Sequence, residues 1–161
     1  MNFQMYTFNS HVDVFFDKEM IEKIERYYKN LNLEDITFVF LKYYEGKFIA
    51  TKFEQVPNKA KINNKLYTSL EPKYVKWIFE KAREKNEQLI IIHNHIYINA
   101  LKFSKSDFSL LYTYYKFFYD NYFGNDKKFF GSMLINIDKF TGICLEDSNF
   151  CIKNINYVIT K

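Results

Sequence analysis

Glycine, proline and cysteine are all scarce, and each shortage argues against a class of protein. Only 4 glycines and 2 prolines occur among the 161 residues, which excludes flexible linkers, collagen-like repeats and low-complexity segments. The two cysteines, Cys144 and Cys151, have no CxxC spacing and build no disulfide framework, a usage that fits a reducing cytoplasm. We therefore expect one domain, residues 1–161, that forms its core without disulfide or metal staples.

Long apolar runs and a strong charge of one sign are also missing. No run approaches the roughly 20 apolar residues that span a bilayer, and Met1-Asn2-Phe3-Gln4 does not open a secretory signal. The net charge of +4 is mild, and the basic residues are scattered among nearly as many acids, which argues against a nucleic-acid groove. We expect a cytoplasmic protein with no membrane partner.

The chain does contain a regular succession of apolar patterns. Apolar side chains at helical spacing predict helices over about 17–30, from about Pro72, and from about Ser104. Short segments rich in β-branched and aromatic residues predict strands over 36–41, 47–54, 89–92, 129–137 and 142–146. The order α-β-β-α-β-α-β-β predicts an α/β (α+β) fold, a mixed sheet flanked by helices.

The segment that carries chemistry is His93-Asn94-His95, at the end of the most apolar predicted strand. Two histidines at positions i and i+2 of a strand point to the same side, where they can share one metal ion. Asp107, in the first turn of the next predicted helix, can reach back as a third ligand. Two imidazoles and one carboxylate leave the fourth position of a tetrahedral zinc open, as in catalytic rather than structural sites. The plainer alternative is that Ser104 and Asp107 only cap the helix.

Other classes of HxH protein fit less well. Metallo-β-lactamase-like and amidohydrolase-like enzymes need further histidines, and only His11 remains to supply one. The HNH nucleases spread their residues over a ββα unit instead of placing them contiguously.

The residues Glu34, His93, His95, Ser104 and Asp107 together resemble the motif of the JAMM (MPN, or JAB) metalloproteases. That motif is an upstream glutamate, then His-x-His-Pro, then Ser-x-x-Asp. Two departures occur here. Ile96 stands where the family has proline, and the stretch between His95 and Asp107 is one residue longer than is usual in the family.

The resemblance implies a JAMM/MPN-like fold and a Zn²⁺-dependent isopeptidase or peptidase that acts at the C-terminus of a ubiquitin-like protein. It implies precursor processing or deconjugation, with E1- and E2-like proteins as partners and, for some small bacterial members, a place in an antiphage system. It also implies site roles. His93, His95 and Asp107 would bind zinc, Glu34 would exchange a proton with the attacking water, and Ser104 would help to stabilise the oxyanion.

The identity of the general base stays open on the residues alone, because four carboxylates lie near predicted strand ends. Glu45 precedes Gly46 in a predicted hairpin turn, and Glu54 ends a strand. Glu34 and Asp35 both stand just before a buried strand, and a one-residue slip would exchange the faces they occupy.

Two other functions also stay open. A RadC-like protein shares the motif but is linked to DNA maintenance. A catalytically inactive MPN-type scaffold would use the same domain only to bind a partner.

Overall fold

Three α-helices and nine strands form the part of the chain that the computed structural model describes, which is residues 10–63, 68–95, 101–122, 127–136, 139–147 and 149–160. The helices are α1 (Lys18–Lys29), α2 (Pro72–Glu84) and α3 (Lys105–Tyr122). The strands are β1 (His11–Asp17), β2 (Ile36–Tyr44), β3 (Lys47–Gln55), β4 (Lys61–Asn63), β5 (Thr68–Leu70), β6 (Gln88–Asn94), β7 (Phe129–Asn136), β8 (Lys139–Glu146) and β9 (Asn149–Thr160).

Seven of these strands form a closed barrel in the order β1-β3-β2-β6-β7-β8-β9, with β9 returning to β1. Strand β1 runs parallel to both β3 and β9, and β6 runs parallel to β7. The other neighbours in the barrel are antiparallel. Strands β4 and β5 form a separate two-stranded sheet.

The expected fold, a JAMM/MPN-like mixed sheet flanked by helices, is therefore wrong. Strands β1 and β9 were not among the predicted elements, and these two strands close the sheet. They pair along their length, from His11 with Asn154 to Asp17 with Thr160. On its other edge β1 joins β3, where Val14 lies beside Phe48. Without these pairings the sheet would keep two open edges; with them it has none.

The helices begin where local signals predict. Asp17 caps α1 by accepting a hydrogen bond of 2.6 Å from the Met20 amide, and α2 begins at Pro72, which suits a first helical position. The predicted apolar stripe of α1 is buried, including Met20 and Ile24. In the described part of the chain, no helix is long and apolar enough to cross a membrane.

The barrel wall separates two apolar clusters, and strand alternation sends successive residues of β6 to opposite sides. Leu89 and Ile91 pack with residues of α2 and α3, whereas Ile90 and Ile92 pack with residues of α1 and β1. The same alternation assigns His93 to the α2/α3 side, with Asn94 on the opposite side.

Candidate metal site

The end of β6 and the start of α3 bring three potential ligands together. His93 is the second-last residue of β6, and His95 follows the strand directly. The Nε2 atom of His93 lies 3.0 Å from Oδ1 of Asp107, and Nε2 of His95 lies 3.3 Å from Oδ2 of the same carboxylate. The three side chains are only 10–14 % exposed. The structure therefore places the predicted ligands in one cluster.

Asp107 owes its position to the way α3 begins. Its backbone N–H donates to Oγ of Ser104 over 3.1 Å, and its carboxylate accepts from the Ser104 N–H over 2.6 Å. This reciprocal pair is a capping box, with an aspartate in place of the usual glutamate or glutamine. The cap that was the plainer reading of these two residues is present, and it also holds the carboxylate against the imidazoles.

The donor set fits a zinc ion. Ligand atoms of the three residues lie within 4.8 Å of one another. Two ligands about 2.0 Å from a tetrahedral zinc lie roughly 3.3 Å apart, close to the 3.0 Å and 3.3 Å between the imidazole nitrogens and the Asp107 oxygens. His93 Nε2 and His95 Nδ1 are buried and make no aligned hydrogen bond with any described group. Buried polar atoms normally have a partner, so a cation is a chemically reasonable one for His93 Nε2.

Electrostatic interactions between the Asp107 carboxylate and the two imidazoles also indicate that these three side chains form one site. Burial alone would raise the pKa of Asp107, but the two imidazoles and the Ser104 amide outweigh it and lower that pKa well below its usual range. Asp107 raises the pKa of His95 against the lowering effect of burial, and Glu34 adds to the rise. The carboxylate is thus held ionised, which is the form that binds metal.

Glu34 lies on the side of the site that β2 forms. Ile36 of β2 pairs with His93 of β6 in an antiparallel register. Continued by two residues, this register sets Glu34 opposite His95, on the face of the sheet that carries both histidines. Burial raises the pKa of Glu34; the two imidazoles oppose that rise and Asp107 adds to it. Among the candidate bases, these interactions favour Glu34 as the carboxylate beside the histidines.

Asp35 is committed to other partners. Its carboxylate accepts from Lys61 Nζ at 2.8 Å and 2.9 Å and from its own chain at the Ile36 N–H over 2.8 Å. The Tyr27 hydroxyl also donates to it. The Lys61 side chain is only 6 % exposed, so this is a buried ion pair that ties β4 to the start of β2. Nothing in the sequence pattern marked Lys61 as its partner.

The remaining candidate bases lie elsewhere. Glu45 is exposed in the β2–β3 turn, and Glu54 pairs with Lys52 at 2.9 Å. Ile96, which stands in place of the family's proline, falls outside the described residues.

Asn94, between the two histidines, is a residue whose part in the site the sequence analysis missed. Its Oδ1 accepts from the Asp35 N–H over 2.7 Å, and its Nδ2 donates to the Leu33 carbonyl over 3.3 Å. The sequence could have indicated this role, because a residue between two histidines of one strand must face away from both imidazoles.

Comparison with known proteins identifies a similar fold but no function. No family model matches the chain, and no curated protein matches it. Among solved structures, the solution structure of protein DSY2949 from Desulfitobacterium hafniense is similar, with a TM-score of 0.58 over 92 % of this chain and 93 % of that one. The two sequences are 10 % identical, so the likeness concerns the fold alone.

Proposed function

We propose that this chain is a zinc-dependent isopeptidase or peptidase. The observation that carries the proposal is the cluster of two histidines and one aspartate, each partly buried, with Glu34 opposite His95 in the continued β2–β6 register. His93, His95 and Asp107 would hold the ion. Bound zinc supplies a Lewis acid that polarises a carbonyl group and acidifies a coordinated water.

Glu34 is the residue that moves the proton in this proposal. A general base must lie within hydrogen-bond reach of the proton that it takes, and its efficiency rises as its pKa approaches the working pH. Burial raises the pKa of Glu34, and the charge of a bound zinc would lower it again. Glu34 accepts a proton from the attacking water and returns it to the leaving amine, so no side chain of the protein needs to form a covalent bond.

Ser104 offers a hydrogen-bond donor at the same place. Its Oγ accepts from the Asp107 N–H, and the exposed hydroxyl makes no donated bond to any described residue. The hydroxyl proton is therefore available to the developing oxyanion of a scissile carbonyl.

The substrate class rests on the motif. Glu34, His-x-His and Ser-x-x-Asp are the residues by which the chain resembles enzymes that cut amide bonds at the C-terminus of ubiquitin-like proteins. We extend this to precursor processing or removal of a ubiquitin-like protein from a conjugate, with E1- or E2-like proteins as functional partners.

The test uses ubiquitin joined through its C-terminal carboxyl to the lysine side chain of a fluorescent peptide. Zinc-loaded wild type should release the peptide, and removal of the metal with a chelator should stop release. Glu34→Gln should keep zinc and lose about 100- to 10,000-fold in kcat, the range for removal of a general acid–base group.

Glu45→Gln is the matched control, because it makes the same chemical change at an exposed turn. It should keep wild-type activity. Zinc-loaded protein that cleaves no such conjugate would refute the proposed function. Undiminished cleavage by Glu34→Gln would remove Glu34 from the mechanism.

A further inference from the structure

We infer that Asn94 is a positioning residue that holds Glu34 towards the histidines, an inference that rests on the proposed function. Asn94 belongs to the metal-binding strand but faces away from the cluster, and it is 8 % exposed. Its amide bonds the backbone on both sides of Glu34, at the Leu33 carbonyl and the Asp35 N–H.

The chemistry of these two partners determines how the amide is oriented. The Asp35 N–H can only donate, so the Asn94 oxygen faces it, and the Leu33 carbonyl can only accept, so the Asn94 nitrogen faces it. An aspartate at this position would lack the donor, and a leucine would lack both groups. Asparagine suits both contacts at once.

The contact matters because Glu34 lies outside regular structure. It follows α1 and precedes β2, and no ladder bond of β2 reaches beyond Ile36. The Asp35 carboxylate anchors the segment to Tyr27 and Lys61. Asn94 adds a side-chain link from this segment to the strand that carries the histidines, and that link holds the backbone on both sides of Glu34.

The experiment compares Asn94→Ala with Tyr28→Phe. Tyr28 makes a matched control, because its buried hydroxyl also joins α1 to β2 and β6, through Thr37 Oγ1 at 2.7 Å and the Ile92 carbonyl at 2.9 Å. Both variants lose buried hydrogen bonds beside the same strands, but only Asn94→Ala frees the backbone around Glu34.

Two readouts need no catalysis. In zinc-free protein, the Asp35 amide should exchange with solvent about five- to tenfold faster in Asn94→Ala than in wild type, as expected for loss of one hydrogen bond. On addition of zinc, the NMR signal of the Glu34 carboxyl carbon should shift in wild type and Tyr28→Phe and much less in Asn94→Ala.

The third readout is kinetic. Asn94→Ala should bind one zinc, keep KM, and lose up to about 100-fold in kcat, the cost of misplacing a catalytic group by about 1 Å. Tyr28→Phe should keep kcat. The inference is overturned if Asn94→Ala shows the same Asp35 exchange rate and the same zinc-induced Glu34 shift as wild type. It is also overturned if kcat falls as far in Tyr28→Phe as in Asn94→Ala. If wild type binds zinc but cleaves nothing, the proposed function fails, and the NMR readouts still decide whether Asn94 positions Glu34.

Discussion

Ser104 combines a structural task with a proposed chemical one, and both depend on its hydroxyl oxygen. As an acceptor, the oxygen caps α3 through the Asp107 N–H, and the same cap sets Asp107 against the histidines. As a donor, the hydroxyl would stabilise an oxyanion. Substitutions that all remove the hydroxyl but differ in the stability of the resulting cap separate the two tasks.

Ser104→Gly should be nearly as stable as wild type, because glycine is a tolerated N-cap and costs only a few tenths of a kcal/mol. Its kcat should nevertheless fall about 100- to 1,000-fold, since the oxyanion donor is gone. Ser104→Ala should show the same loss of kcat and unfold about 1 kcal/mol more easily. Ser104→Thr keeps both properties and serves as the control. Wild-type kcat in Ser104→Gly would restrict Ser104 to the cap.

At the scale of single residues, the sequence predicts the cluster better than it predicts its surroundings. His93, His95 and Asp107 were found because two histidines on one strand face and an acid at a helix start are local signals. The sequence favoured Glu34 only through the motif and kept Asp35 as the alternative, because the positions of the two carboxylates depend on the register of β2 against β6 and on a distant lysine, Lys61.

At the scale of elements, the best predicted parts are those with local signals. Helices α1 and α2 have a capping aspartate and a first-turn proline, and β6 has an unbroken apolar run. Strand β1 does alternate polar and apolar residues, with Val12, Val14 and Phe16 buried, but this local pattern does not show which strand it joins. Its partner β9 lies far along the chain, at a separation of 143 residues between His11 and Asn154. Pairing of that kind leaves no trace in a short window of sequence.

Strands β7 and β9 lie close together inside the barrel, and Gly131 has little room for a side chain. A Cβ on Gly131 would lie 2.8 Å from Cδ1 of Ile155 and 3.0 Å from Cγ1 of Ile90. Gly131→Ala should therefore lower the free energy of unfolding by about 1 kcal/mol, the lower end of the usual cost of overpacking, because the Cδ1 end of Ile155 can shift.

Ile155→Val provides the matched background, because it removes the Cδ1 atom that makes the closer contact. A double-mutant cycle by denaturant unfolding should give a smaller cost for Gly131→Ala in the valine background than in wild type. Equal costs in both backgrounds would show that β9 does not lie against Gly131, and the packing of this part of the barrel would have to be revised.

At the scale of the whole molecule, closure of the barrel leaves the candidate site at one end of it. Ile36 begins β2 where His93 and Asn94 end β6, and α3 starts beside them. Three separate segments, 33–36, 93–95 and 104–107, thus meet at one place. The sequence shows the residues of each segment, but only the topology shows that they meet.

X-ray absorption at the zinc edge shows whether one zinc ion binds to His93, His95 and Asp107. Metal analysis of purified wild type should show about one equivalent of zinc per chain, and the spectrum should show two imidazole rings with oxygen ligands and no sulfur. His95→Ala should lose most of the metal, and any zinc that remains should show a single imidazole. Sulfur in the coordination shell, or the same zinc content and spectrum in His95→Ala, would contradict the assignment.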